Sequence, residues 1–296
     1  MLDEPFLANS HERIDETYAE SLRYLRKQPS LRSQVSASLW AYHEIGDLIP
    51  QTPENFASGH YFPYSESYNE LESSYNLVLE GFYRYSYVAL RSVVELGTLG
   101  IYFEIEGRGH IEVRPWLASS ERTPSMKQML ERIMRVDKFG AFDKEFGLKK
   151  QLQDLYEGLG LDVHARGYVH SSSGQAKANV NRFQAKSLER YCRLMRSTVE
   201  CLCTMLLIKY PIGMQPAPLD EKFGLNGPIG GFLQEYQHET IFPMIPKAKL
   251  VFLKQQSDED SSVREAIEYL QSLPDITHEE LERQEKNEIR SMRHKE

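Results

Sequence analysis

Residues 76–105, NLVLEGFYRYSYVALRSVVELGTLGIYFEI, are apolar on most sides of a helical wheel, and a chain carrying such a stretch has to wrap it in other elements. A helix that begins near Tyr68 and runs through this segment is therefore expected at the centre of the fold. Its length approaches that of a membrane span, but Arg84, Arg91 and Glu95 interrupt the apolar run. The remainder is ordinary for a globular chain, with 41% hydrophobic and 26% charged residues. No membrane association is expected.

Helical spacing dominates elsewhere too, and no pair of alternating runs flanks a hairpin turn, so the expected fold class is all-α. Helices are expected near 10–26 and 31–48, followed by an irregular aromatic-rich passage, PQTPENFASGHYFPYSES. Thr123 and Pro124 read as an N-cap with proline at the first helical position. A further helix is expected over about 142–157, with Leu148, Leu152, Leu155 and Tyr156 on its apolar face. Residues 1–212 then form a helical bundle domain, 213–231 a Pro/Gly-rich linker or loop, and 232–296 a C-terminal helical appendage with an acidic tail. Within the appendage, Thr277 and Glu280 have the spacing of a capping box.

The net charge of −8 is unevenly spread. Residues 257–296 carry twelve acidic and six basic side chains, whereas residues 164–196 hold seven Lys or Arg against one Glu. On a helix over 182–210, Arg182, Lys186, Arg190, Arg193 and Arg196 fall within about 120° of arc, opposite Tyr191, Met195, Leu202, Met205 and Leu206. A solvated face is the ordinary meaning of such a stripe. Yet like charges at i, i+4 repel, Glu189 is the one acid among them, and a phosphate backbone would relieve the repulsion. The acidic C-terminal segment is a rival partner for the same stripe.

The segment LYEGLGLDVHARGYVHSSSGQ, 155–175, is where chemistry is concentrated. If it is helical, Asp162, Arg166 and His170 share one face. A histidine titrating near neutrality can take a proton from a ribose hydroxyl, and an adjacent guanidinium can hold the phosphate, so the pair could cleave RNA without a metal. Asp162 would orient the arginine or tune the histidine. The plainer meaning is a helix end, with His164 and His170 bonding its last carbonyls and Arg166 helping through the helix dipole. Arg91 and Glu95, at i, i+4 in the apolar helix, are expected to form a salt bridge with each other, or Glu95 to reach across the bundle and anchor Arg166 or His164.

Cys192, Cys201 and Cys203 lie in one apolar segment and read as core thiols. The N-terminal MLDEPFLANSHERIDE has neither a basic nor an apolar signal region, which points to the cytoplasm. No glycine-rich phosphate loop, metal-ligand spacing or nucleophile elbow is present, so no cofactor and no metal is expected.

The order ALRSVVELGTLGIYFE, then a Trp with TPSMKQML, then LYEGLGLDVHARG, resembles a group of bacterial all-helical proteins of uncharacterised function. Their shared features are an LRS...E helix, a W...TPSFK.ML segment and an LY..LS..VH.RG segment, matched here over about residues 80–170. In that pattern Tyr156 and Leu159 match LY..L, His164 is the shared histidine, and Gly160 stands where the family has serine. More distantly the chain is similar to the HEPN superfamily, helical bundles that usually dimerise and include metal-independent ribonucleases of toxin–antitoxin and phage-defence systems. Those nucleases have four to six residues between Arg and His, often with a polar residue after the Arg; here Arg166 and His170 have three between them and Gly167 follows. The resemblance implies an α-bundle, a homodimer, and RNA or an antitoxin-like protein as partner. The functional expectations are an RNA-binding endoribonuclease or a non-catalytic helical interaction module.

Overall fold

The computed structural model describes residues 11–164, 166–171, 174, 182–224 and 230–293. Every regular element among them is helical. The α-helices in chain order are α1 (His11–Lys27), α2 (Pro29–Glu44), α3 (Pro53–Ser58), α4 (Phe62–Leu79), α5 (Tyr83–Glu104), α6 (Gly109–Leu117), α7 (Met126–Ile133) and α8 (Asp137–Phe146). They continue with α9 (Leu148–Val163), α10 (Ala185–Lys209), α11 (Leu219–Phe223), α12 (Glu235–Ile241), α13 (Lys247–Glu259), α14 (Ser261–Ser272) and α15 (His278–Arg293). No helix among the described residues is long and apolar enough to cross a membrane.

The central helix is shorter than its apolar run suggests. Instead of one helix from Tyr68, α4 ends at Leu79 and α5 begins at Tyr83, because Gly81 adopts φ +82°, a conformation that side-chain-bearing residues avoid. The two helices fold back on each other as an antiparallel hairpin, and α5 also packs against α7, α9 and α10. Leu90, Val93, Val94 and Leu99 of α5 have no solvent exposure, and neither do Met195, Val199 and Met205 of α10. These two helices form the axis of the core.

Buried tyrosine hydroxyls are satisfied by serines on α4: Ser67 pairs with Tyr42 at 2.6 Å and Ser74 with Tyr191 at 2.6 Å. Each small hydroxyl satisfies a group that would otherwise be buried without a partner.

Glycine also divides the helix expected over 142–157. Gly147, at φ +65°, ends α8 and starts α9. The passage 50–67 is mostly helix rather than irregular, with Pro53 opening α3 and Pro63 in the first turn of α4, where a missing N–H does no harm. The N-cap of α7 is Ser125, not Thr123. Ser125 and Gln128 close a reciprocal capping box, while the Thr123 hydroxyl accepts from Trp116 Nε1 at 2.9 Å.

The capping box at Thr277 and Glu280 opens α15 as the spacing requires. The three cysteines are free and buried. Residues 225–229 of the expected linker, and 172–173 and 175–181 of the basic island, lie outside the described residues. Leu233, Ile241, Met244, Ile245 and Leu253 belong to the same hydrophobic core as α5 and α10. α12 packs on α2, where the fully buried Gln237 amide donates to Glu44 Oε2 at 2.8 Å and Asp47 Oδ2 at 2.7 Å.

Two consequences for stability can be measured. A Cβ at Gly81 would lie 2.9 Å from Thr17 Cγ2 on a left-handed backbone, so Gly81→Ala is expected to lower the unfolding free energy in urea by about 1–2 kcal/mol. Lys138, at the start of α8, donates to the Lys209 carbonyl at the end of α10 at 2.9 Å. Burial, reinforced by the Lys209 ammonium, brings its pKa down from 10.5 to about 8. Between those two values the unfolded chain holds a proton that the folded chain has released, so stability rises with pH across that window. Lys138→Met is expected to flatten that rise in urea titrations repeated through the window.

Candidate functional site

The segment 155–170 does not continue as one helix. α9 stops at Val163, His164 is its C-cap, and the Arg166 N–H returns to the Leu161 carbonyl at 3.0 Å in the six-to-one pattern of a Schellman ending. Asp162 and His170 therefore cannot meet through helical spacing. They meet because the chain turns: Gly167, at φ +83°, leads into a single 3₁₀ turn, Tyr168–His170, that brings the imidazole back to the helix end. His170 Nδ1 lies 3.1 Å from Asp162 Oδ1.

Asp162 has no solvent exposure, and such a carboxylate has to be compensated. Arg190 of α10 does so with two hydrogen bonds, NH2 to Oδ2 at 2.8 Å and NH1 to Oδ1 at 3.3 Å. The guanidinium lies over the ring of Tyr87, 4.2 Å from its centroid, and Tyr87 Oη donates to the Ser187 carbonyl at 2.8 Å. Burial opposes the charge on Arg190, but its bonds to Asp162 and the facing Tyr87 more than offset this and raise its pKa. Burial in turn pushes the Tyr87 hydroxyl well above its ordinary range.

Arg84 completes the arrangement. Its Nε donates to the Asp162 carbonyl at 2.9 Å and its NH2 to the Val163 carbonyl at 2.7 Å, so a cation on α5 caps the negative end of α9. Capping by His164 and His170 was the sequence-level alternative; the work falls to Arg84. An ionised carboxylate only accepts, so Nδ1 of His170 is the donor in its bond to Asp162. The His170 side chain is 21% exposed and that of Arg190 33%, so the fully buried acid lies behind two groups that solvent reaches.

The remaining expected site residues divide. His164 and Arg166 are exposed beside this cluster. Arg182 precedes the first turn of α10 and is exposed, as are Lys186 and Arg193 on the helix. Arg190 and Arg196 leave the expected basic face: Arg190 for Asp162, and Arg196 for the Pro243 carbonyl at 3.2 Å and the Met244 sulfur at 3.5 Å. Glu189, the one acid of that set, accepts from the Tyr24 hydroxyl.

Arg91 and Glu95 form a long ion pair of 3.8 Å, and Arg91 lies over the Tyr156 ring at 4.0 Å and bonds its hydroxyl. Glu95 reaches the Tyr156 hydroxyl at 3.5 Å rather than Arg166 or His164. An added Cβ at Gly160, which stands where the resembled pattern has serine, would lie 3.8 Å from the Arg91 Nε. Arg84 and Tyr87 were not among the expected site residues; the spacing Arg84, Tyr87, Arg91 puts them along one face of α5.

Among the described residues no group of three His, Cys, Asp or Glu side chains could hold a metal ion. No family model, no curated protein and no solved structure matches the chain.

The pairing of Asp162 with Arg190 makes a direct prediction. Removing either partner takes a two-bond ionic contact from the other, so Asp162→Ala and Arg190→Ala are each expected to destabilise by about 3 kcal/mol, the low end for such pairs because Arg190 is partly exposed and Asp162 keeps His170. The double variant should lose clearly less than the two losses added, a coupling read from urea unfolding of the four proteins.

Proposed function

We propose that the chain is a HEPN-like RNA-binding protein of the cytoplasm whose Asp162–His170–Arg190 cluster is a metal-independent endoribonuclease centre. The observation that carries this reading is the bond between the buried Asp162 carboxylate and Nδ1 of the partly exposed His170. It is the arrangement by which an acid orients an imidazole and supports the imidazolium that forms when Nε2 takes a proton. On RNA, Nε2 removes the 2′-hydroxyl proton, the 2′-oxygen bonds to the adjacent phosphorus, and the bond from phosphorus to the 5′-oxygen breaks. The products are a 2′,3′-cyclic phosphate and a 5′-hydroxyl, with the departing oxygen taking its proton from solvent or from the exposed His164.

Arg190, held against Asp162, keeps a third of its side chain exposed, and Arg166 is an exposed cation in the turn that carries His170; both are available to charge that develops on a phosphate. Lys186, Arg193 and Arg182 supply the phosphate contacts, which need no base recognition. A toxin–antitoxin or phage-defence setting and a homodimer belong to the same proposal.

A specific observation favours a second reading. Both nitrogens of Arg190 that face Asp162 are engaged by it, so the cluster also makes sense as a clamp in a non-catalytic module that meets an antitoxin-like partner through Arg193 and Lys186.

One assay separates the two. Purified protein in EDTA is expected to cleave RNA to cyclic-phosphate ends, and His170→Ala to slow cleavage by about 100-fold or more while the fold is retained. Wild-type protein that leaves every RNA intact, or cleavage that survives alanine at His164, Arg166 and His170 together, removes the nuclease reading.

A further inference from the structure

A groove of about 1070 Å³ lies in the C-terminal third of the chain, away from the Asp162 cluster, between residues 216–221 on one side and α12 with its following turn on the other. Leu219, Phe242 and Leu250 supply apolar surface, and Tyr236 stands 44% exposed at its margin. Four exposed carboxylates, Asp220, Glu221, Glu235 and Glu239, line it together with these, and no lysine or arginine does.

Besides Tyr236, the other titratable group at the groove is His238. It stacks on Phe242 at 4.5 Å and bonds the Gly213 carbonyl at 2.8 Å, and burial lowers its pKa, so it does not neutralise the acids. Among the described residues none of the four carboxylates takes part in an ion pair. The groove therefore combines an apolar floor, aromatic faces and uncompensated negative charge.

We propose that this groove is a docking site for a short basic segment of a partner protein, in which apolar side chains enter the floor and flanking Lys or Arg side chains meet the four carboxylates. Charge complementarity selects a cation. Tyr236 and Phe242 offer ring faces to it. The volume, about 1070 Å³, stands at the upper end of the usual range of about 300–1,000 Å³ for small-molecule pockets and leaves room for a short peptide segment.

The test is fluorescence anisotropy with the whole chain and a fluorescein-labelled peptide alternating lysine with leucine. Its partner probe alternates glutamate with leucine. The lysine peptide is expected to bind and to weaken as NaCl is raised, and the glutamate peptide to stay free. Glu235→Gln with Glu239→Gln should weaken binding about five- to tenfold. Glu12→Gln with Asp15→Asn on α1, the same change in net charge, should leave it unaltered. Tyr236→Ser, at an exposed position, should weaken it without loss of helicity.

The proposal is overturned if the lysine peptide fails to bind. It is overturned too if both charge-neutralising pairs weaken binding equally, or if spermidine displaces the peptide at equal concentration, which would make a small organic cation the ligand.

Discussion

A carboxylate that solvent does not reach has to be surrounded by donors, and Asp162 recruits them from three places in the chain. Arg190 comes from α10, His170 from the turn after α9, and Arg84, through the backbone carbonyl of Asp162 itself, from α5. Tyr87, beneath Arg190, adds a second contact from α5. The relative placement of the three long helices at this end of the bundle thus answers to one charge. An uncompensated carboxylate in that position would be driven to protonate or to open the packing. This is also why a histidine so close to a surface turn is held in one orientation: its partner cannot move.

Fold class was legible in the sequence because helical spacing is local and the chain repeats it almost everywhere. Boundaries were less so. Gly81 and Gly147 each end a helix inside a run that looks continuous, since periodicity counts apolar positions and is blind to a single left-handed residue. The proximity of Asp162 to His170 was anticipated from helical spacing, yet the helix ends between them and the contact depends on Gly167. Two of the three residues expected on that face, Asp162 and His170, meet on a different geometry. The bond between Asp162 and Arg190, which spans 28 positions, had no local signature at all. A helical wheel could place Arg190 on a basic face but could not show that a neighbouring helix ends beneath it with a buried acid.

The same limit explains how the basic residues sort. Cations near α5 and α10 serve two purposes, and exposure separates them. Arg84, Arg91, Arg190 and Arg196 each find a carbonyl, an aromatic ring, a sulfur or a carboxylate within the molecule. Lys186 and Arg193 on α10, together with Arg182 and Arg166, remain exposed. Guanidinium is suited to the first group because its planar fork bonds and stacks at once. An anionic partner would meet the second group, so the cationic surface is smaller than the sequence stripe and lies nearer the His170 end of α10.

Helix α10 connects this surface with the acidic groove. Near its start, Arg190 holds the end of α9; two turns on, Arg196 holds Pro243, whose ring borders the groove. Cationic and anionic surfaces are thus fixed to one rigid element through arginines only six residues apart. Both arginines are held by a helix whose residues from Cys201 to Ile208, beyond Arg196, are all buried in the core.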